Sequence, residues 1–146
     1  MFVEKLLPDI RKRLVCVEPT ASLLTASRLL SEGGDMVLVC SDDRCLVGIV
    51  TKTDVVRTTG HCTGASCTAP VTGAMTQEVL TTTPHAGLHD VWKTMRDRKL
   101  KNLPVLDDDG TVLGVLNALD TLRTLLHEVR NEEALLRDYA MSLGYR

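Results

Sequence analysis

The chain carries two copies of one short stretch, Gly48-Ile49-Val50-Thr51-Lys52-Thr53-Asp54 and Gly114-Val115-Leu116-Asn117-Ala118-Leu119-Asp120. Each copy begins with a glycine and branched apolar residues, a pattern typical of a buried strand. Each then changes to a helical pattern at a small polar residue, Thr51 or Asn117. A helix that starts there leaves backbone N–H groups free in its first turn, and such a junction suits an anion. The duplication predicts that the molecule consists of two copies of one small unit.

The composition is that of an ordinary globular protein. The 146 residues fit one compact domain or two small ones around a shared core, and 44% of them are hydrophobic. Because only 3% are aromatic, the core must be aliphatic and no stacking platform for single-stranded nucleic acid is visible. The net charge of −2 gives no general attraction to nucleic acid or to anionic membranes. No apolar run approaches the roughly 20 residues that a membrane-spanning helix needs.

The N-terminus and the cysteines both bear on the compartment. Residues 1–8 are too short and too charged for a secretory signal. The five cysteines are an odd and scattered set, which suits a reducing compartment better than a disulfide scaffold. We therefore expect a cytoplasmic protein. Three of the cysteines lie in or beside predicted strands and are expected to be buried small residues, namely Cys16, Cys40 and Cys45.

Each unit reads as strand, helix, strand, strand and helix. In the first unit we predict a strand at 14–17, a helix capped by Thr20 and ended by Gly33, a hairpin of strands at 36–40 and 46–50, and a helix from Thr51. In the second we predict a strand at 79–81, a helix from about 88 to 99, strands at 103–106 and 112–116, and a helix from Asn117 that continues or restarts at Asn131.

Composition also sets the domain boundaries. Residues 60–70 are small and polar with no apolar period, which indicates a linker. The expected organisation is an N-terminal helix with the first unit at 1–60, a linker at 61–71, the second unit at 72–128 and a helical extension at 129–146. A unit of roughly 60 residues buries too little surface to be robust alone. We therefore expect the two units to pack their sheets together around a cleft.

This pattern resembles a tandem pair of cystathionine-β-synthase (CBS) domains, also called a Bateman module. The two quoted stretches carry the resemblance, together with Leu103-Pro104-Val105-Leu106-Asp107 and the Met75-Thr76 dipeptide. It covers roughly residues 8–128. The resemblance implies an α/β (α+β) fold, with two CBS repeats of β-α-β-β-α packed through their sheets with pseudo-twofold symmetry.

The resemblance also implies a function. Members of this family are regulatory, non-catalytic modules that bind AMP, ADP, ATP or S-adenosylmethionine between the repeats. The aspartate of the motif accepts hydrogen bonds from the ribose hydroxyls, and the hydroxyl side chains before it take the phosphates. Carried onto this chain, Asp54 is the expected ribose acceptor, with Thr51 and Thr53 at the phosphate.

The second copy departs from the family pattern. Asp120 keeps the ribose role, but Asn117 stands where threonine is usual and Leu119 replaces the second hydroxyl. We therefore expect the Asp54 site to be the better phosphate site, and the Asp120 site to be weak, empty or suited to a less charged adenosine derivative. The family also implies that the segment before the second repeat encloses the adenine at the Asp54 site, through Thr72, Met75 and Thr76.

Other interpretations stay open beside this one. Both Thr51-x-x-Asp54 and Asn117-x-x-Asp120 have the spacing of a plain helix cap, which needs no ligand. Cys62 and Cys67 in the linker offer a redox- or metal-responsive switch, although their spacing is not that of common zinc sites.

A scaffold is the remaining alternative. The apolar residues of the last helix suit a homodimer, and a dimerisation scaffold without ligand fits the same sequence. No nucleophile–base pair or metal set recurs at the two junctions, so we expect no enzyme, no metal and no required cofactor. A regulated effector protein would then be a separate partner.

Overall fold

The computed structural model describes residues 1–61, 64 and 68–144, the last two of these by backbone alone. The five helices are α1 (Leu7–Lys12), α2 (Leu23–Ser31), α3 (Lys52–Gly60), α4 (Leu88–Asp97) and α5 (Ala118–Gly144). The five strands are β1 (Cys16–Val17), β2 (Val37–Cys40), β3 (Leu46–Val50), β4 (Asn102–Leu106) and β5 (Val112–Asn117). Short 3₁₀ turns cover Val3–Leu6, directly before α1, and Val71–Gly73, before the second repeat.

The strands form one small sheet in each repeat. β1 pairs in parallel with β2, and β2 pairs antiparallel with β3, while β4 and β5 form an antiparallel pair. The strand predicted at 79–81 is wrong: a single residue, Thr82, bridges in parallel to Val105. Proline at position 84 lacks a donor and restricts the residue before it, so the ladder stops there. Apart from this missing first strand of the second repeat, the predicted mixed α/β architecture of two β-α-β-β-α repeats is confirmed.

One helix prediction is wrong and another is resolved. The cap of α2 is Ser22 rather than Thr20, and its hydroxyl oxygen accepts a hydrogen bond from the backbone N–H of Thr25 at 3.2 Å. Of the two alternatives for the last helix, the continuous one is correct, since α5 runs without a break through Asn131. Because neither glycine nor proline occurs between Ala118 and Leu143, nothing in this segment interrupts the helical hydrogen bonds.

A shared core joins the two repeats. Each repeat has its own apolar cluster, and a third cluster lies between the sheets and is formed by Met36, Leu38, Cys40, Val112 and Val115. The two hairpins also meet, because the backbone N–H of Val112 donates to the carbonyl of Arg44 at 3.0 Å. Burial of apolar area across this contact holds the repeats face to face, as a small repeat requires.

Each repeat is completed by the segment that precedes the other. Ahead of the second repeat, Thr76 forms a two-bond bridge with Ile49 of β3, at 2.9 and 2.8 Å. Ahead of the first repeat, the 3₁₀ turn and α1 pack on the second, where the backbone of Ile10 lies against Gly114. A side chain on Gly114 would put its Cβ 2.1 Å from the Ile10 carbonyl oxygen. This exchange of segments fixes where residues 9–13 lie in the molecule.

The contact at Gly114 yields a test of the exchange. Gly114→Ala adds a Cβ where backbone atoms leave no room, so we expect it to lower the free energy of unfolding by about 1–3 kcal/mol. Gly73→Ala is the matched control, since nothing lies within 4 Å of its Cβ position. Urea unfolding followed by circular dichroism measures both variants. Equal unfolding midpoints for the two variants would contradict this packing.

Candidate functional site

The start of α3 is a complete capping box. Thr51 has an extended backbone, and its hydroxyl oxygen accepts a hydrogen bond from the N–H of Asp54 at 3.4 Å. In return, Oδ2 of Asp54 accepts the backbone N–H of Thr51 at 2.9 Å and its hydroxyl at 3.0 Å. The helix-cap interpretation of this motif is therefore present in the fold. It satisfies donors that would otherwise be free at the first turn.

The other carboxylate oxygen of Asp54 is also occupied. Oδ1 accepts the Thr76 hydroxyl at 3.0 Å and Arg57 Nη1 at 3.2 Å. The side chain is only 3% exposed. A carboxylate has about four acceptor positions, and here protein donors fill them from α3 and from the segment before the second repeat. A ribose could bind Asp54 only by replacing Thr76 or Arg57.

The remaining residues predicted around Asp54 lie at different depths. Met75 is half-buried, and its Sδ would lie 2.8 Å from a Cβ placed on Gly48. Thr53 and Thr72 are exposed. The structure thus brings Thr51 and Thr76 onto Asp54, with Met75 beside the strand that leads to it, and it leaves Thr53 and Thr72 at the surface.

The equivalent junction at the start of α5 is built differently. Oδ1 of Asn117 accepts the backbone N–H groups of Leu119 at 3.0 Å and Asp120 at 3.2 Å, so the carboxamide caps the helix alone. Its Nδ2 donates to Oδ1 of Asn102 in the neighbouring strand at 3.1 Å. The side chain of Asp120 is freed from capping and is 22% exposed, and Leu119 is 53% exposed. This carboxylate is available to a ligand in a way that Asp54 is not.

Two cavities open beside Arg13, and Asp120 lines the larger of them. One of about 380 Å³ is lined by Asp9, Lys12, Arg13, Asp120, Arg123 and Thr124. The other, of about 300 Å³, is lined by Lys12, Arg13, Val15, Gly33, Gly34, Asp35, Met36, Asn102 and Val115. Small-molecule sites usually start near this size. Since Lys12 and Arg13 line both, the two cavities form adjoining parts of one cleft between the repeats.

Arg13 lies between these cavities. Its Nε donates to Oδ2 of Asp120 at 3.0 Å, and its Nη1 lies 3.9 Å from Oδ2 of Asp35 in the turn between α2 and β2. The Arg13 side chain is 38% exposed. Ion pairs this open to water contribute about 0–1 kcal/mol, so a ligand can replace them at small cost.

Sequence reasoning missed the basic residues of this cleft. Lys12 and Arg13 precede the first strand, and only the exchange of segments carries them to the second repeat. Aligning the two repeated stretches places Glu78 and Val79 at the positions equivalent to Lys12 and Arg13. This difference could have been read from the sequence, because the pair Lys12 and Arg13 is basic and the equivalent pair in the second repeat is not.

The structure tests the cysteine predictions only in part. Cys62 and Cys67, proposed as a switch, lie outside the described residues. The expectation of buried thiols holds for Cys40, whereas Cys45 is half-buried and Cys16 is exposed because β1 lies at the sheet edge. Among the residues that the structure describes, no group of three or more His, Cys, Asp or Glu side chains could hold a metal ion. Within the same residues, no helix is both long and apolar enough to cross a membrane.

Known proteins share this sequence and this fold. The chain is 31% identical over 130 residues to an inosine-5'-monophosphate dehydrogenase of Korarchaeum cryptofilum, covering 88% of this chain and 26% of that one. It also resembles, with 27% identity over 92% of its length, an uncharacterized protein of Methanocaldococcus jannaschii, of which it covers 49%. The chain thus spans half or less of these curated relatives.

Solved structures agree over a larger share of both chains. CBSX2 in complex with AMP has a TM-score of 0.73 and 26% identity, covering 86% of this chain and 96% of that one. A CBS-domain protein of Agrobacterium tumefaciens has a TM-score of 0.71 and 25% identity, covering 85% and 98%. The family model for the CBS domain matches twice, at residues 4–60 and 71–127. The chain therefore belongs to the CBS-domain family and carries two such domains in tandem.

Proposed function

We propose that this protein is a regulatory, non-catalytic module that binds an adenosine-containing ligand in the cleft at Asp120. The observation that carries this proposal is the solvent-reachable Asp120 carboxylate in a cavity also lined by Lys12, Arg13 and Arg123, with a second cavity sharing Lys12 and Arg13. The AMP complex of the related CBSX2 supports the ligand class. AMP, ADP, ATP and S-adenosylmethionine remain the candidate ligands, and the basic lining favours those that carry phosphate.

The smaller cavity suits the base. Its walls include the apolar side chains Val15, Met36 and Val115, which come from both repeats. A planar purine between them would lose water from both faces, and such burial is worth about 25 cal/mol per Å² of apolar area. The side-chain amide of Asn102 also lines this cavity and offers a polar group to the edge of the ring.

The larger cavity suits the sugar and the phosphate. Asp120 can accept both ribose hydroxyls once they replace the Arg13 guanidinium. Arg13, released from its carboxylate, then becomes a phosphate ligand together with Lys12 and Arg123, which line the same space. The ion pair present without ligand thus keeps the carboxylate and the guanidinium in place for their separate roles.

The Asp54 junction takes a structural role in this proposal. Sequence analysis favoured it as the phosphate site, but its carboxylate is buried under Thr51, Thr76 and Arg57. Occupying it would break several hydrogen bonds to a charged group, each worth about 1.5–3 kcal/mol. Asp120 requires only the exchange of one partly exposed ion pair, so the ligand binds there first.

Regulation follows from what the ligand replaces. Arg13 links α1 to both the α2–β2 turn and α5 through Asp35 and Asp120. A bound nucleotide breaks those links and substitutes its own, so it has different affinities for the two arrangements of the cleft. The change would be read by a separate effector protein or a neighbouring domain that contacts α5 or the cleft mouth.

The two aspartates provide the first test. Asp120→Asn removes the charge that holds the ribose, so we expect AMP affinity measured by titration calorimetry to fall about tenfold or more, which corresponds to about 1.4 kcal/mol per factor of ten. Asp54→Asn is the matched control and should keep its AMP affinity while its unfolding midpoint falls. Loss of binding in a folded Asp54→Asn variant, with Asp120→Asn unaffected, would move the site to Asp54. If the wild-type protein binds none of AMP, ATP and S-adenosylmethionine, the proposed function is wrong and the alternative of a dimerisation scaffold without ligand remains.

Arg13 provides a second test with opposite signs for two ligands. Arg13→Met keeps an unbranched, flexible stem but removes both the competitor of the ribose and a phosphate partner. We expect adenosine to bind the variant more tightly than it binds the wild type. The ratio of AMP affinity to adenosine affinity should fall about tenfold. Calorimetric titrations of both ligands at one ionic strength give the ratio. An unchanged AMP-to-adenosine ratio would remove Arg13 from the phosphate site.

A second feature favours a homodimer through α5. Among the described side chains of this helix, seven large apolar ones are between 49% and 69% exposed, namely Leu119, Leu126, Val129, Leu135, Leu136, Tyr139 and Met141. At 100° per residue, the five from Leu126 to Tyr139 fall within one half of the helix circumference. A stripe of this kind along a projecting helix is typical of a contact with another protein surface.

A second copy of α5 carries the same apolar side chains in the same arrangement. We therefore propose an α5–α5 homodimer in which these side chains cover one another.

The dimer is tested by two variants that add the same charge. Leu136→Glu places a carboxylate within the stripe, so we expect the protein to sediment as a monomer at concentrations where the wild type is a dimer. Ala134→Glu adds the same group to the opposite side of α5 and should leave the dimer intact. Analytical ultracentrifugation at several concentrations gives both results, and a monomeric wild type would rule the dimer out.

A further inference from the structure

Two thiols meet on neighbouring strands of the first sheet. Sγ of Cys16 in β1 and Sγ of Cys40 in β2 lie 3.5 Å apart. The parallel register pairs Cys16 with Leu38, so Cys40 is the diagonal neighbour, and a register shift between Val39 and Cys40 alters the ladder there. Cys16 is exposed and Cys40 is buried. The Cys16 sulfur is therefore open to reagents from solution, and the Cys40 sulfur is in contact with it on the buried side.

The two thiols differ in pKa because their surroundings differ. The Cys40 S–H donates a hydrogen bond to Cys16, and this bond, aided by the charge of Arg44, lowers the pKa of the Cys16 thiol to about 7 against the opposing effect of burial. The same bond, together with burial and the neighbouring Cys16 and Cys45, raises the pKa of Cys40. Near neutral pH a substantial fraction of the exposed sulfur is thus thiolate, which is the nucleophilic form, and the buried one stays protonated.

We propose that Cys16 is an oxidant-reactive thiol and Cys40 its resolving partner, so that a peroxide converts the pair into an intrachain disulfide. The contact between the sulfurs, the exposure of one and the burial of the other carry this inference. It does not depend on the ligand proposed for the cleft. It also differs from a switch at Cys62 and Cys67, since it uses neither of those thiols.

The chemistry balances with a peroxide as the named oxidant. The Cys16 thiolate attacks one peroxide oxygen, the O–O bond breaks, and a sulfenic acid forms as hydroxide leaves and takes up a proton. The sulfur of Cys40 then attacks the sulfenic sulfur, loses its proton and expels the oxygen as water. Two thiols lose two hydrogens in total, and the peroxide is reduced to two waters. A dithiol reductant reverses the bond by two exchange steps.

The backbone around Cys16 suits this closure. A disulfide requires the sulfurs to approach to about 2.05 Å, so they must move together by about 1.5 Å. β1 is only two residues long and lies at the edge of its sheet. Glu18-Pro19 follows directly, and proline adds no ladder hydrogen bond. A strand held by so few bonds can shift more readily than the buried β2.

Mass spectrometry tests the bond directly. Full-length protein with Cys62→Ser and Cys67→Ser is treated with hydrogen peroxide, and we expect the intact mass to fall by two hydrogens with Cys16 and Cys40 in one linked peptide. Cys45→Ala in the same background is the matched control and should form the same link. Cys40→Ala should instead leave a sulfenic acid at Cys16 that dimedone traps. Absence of the link, or the same loss of two hydrogens in Cys16→Ala, would overturn the proposal.

The pH dependence of alkylation tests the division of roles. The rate at which iodoacetamide modifies Cys16 should rise through a midpoint of about pH 7, set by Cys40 and Arg44 with Cys45 nearby. Cys40→Ala removes the donor of the hydrogen bond, so the midpoint should move to higher pH in that variant. An unchanged midpoint would show that Cys40 does not activate Cys16, and the assignment of a resolving partner would fall with it.

Discussion

The close approach of the Ile10 backbone to Gly114 is the contact on which the rest of the molecule depends. A Cβ at position 114 would lie 2.1 Å from the Ile10 carbonyl oxygen, so only glycine permits this approach. The contact holds α1 on the second repeat, just as the Thr76–Ile49 bridge holds the opposite segment on the first. Because Lys12 and Arg13 lie two and three residues after Ile10, the same packing places both cations near the start of α5. The packing of backbone against glycine therefore determines the electrostatics of the cleft.

One duplicated motif serves two purposes in this fold. At the first junction the aspartate completes a capping box and accepts donors from another segment, so its charge is buried and neutralised. At the second, Asn117 alone caps the helix and leaves the Asp120 carboxylate with a partly exposed partner. Breaking the first arrangement is expensive because a buried charge would lose its partners. The second is held weakly, and that weakness is what a binding site requires.

The repeated stretch predicted the fold because its strand-to-helix change, hairpins and linker all agree with one architecture. It did not predict which junction would be open. Asp54 matched the family pattern better, and the resemblance placed Thr76 beside it. Neither showed that the Thr76 hydroxyl donates to the carboxylate and so occupies it, because that hydrogen bond depends on the three-dimensional exchange of segments. Arg13 was missed for the same reason. The Cys16–Cys40 contact depends on a parallel pairing across a helical crossover, so it too lay beyond local sequence patterns. The strand predicted at 79–81 failed where Pro84 limits the ladder.

The residues used in both proposals lie on one segment of the first repeat that has few backbone hydrogen bonds. Between α1 and the end of β1 the chain places Arg13 at the cleft, Val15 in the wall of the smaller cavity and Cys16 at the sheet edge. This segment is tied to β2 by a two-residue ladder and by the hydrogen bond from Leu38 N–H to the Val15 carbonyl at 2.8 Å. Segments with few such bonds open at lower free energy than the core strands. The ligand exchange proposed at Arg13 and the disulfide proposed at Cys16 both need small displacements, and a short edge strand permits them while the core between the repeats stays packed.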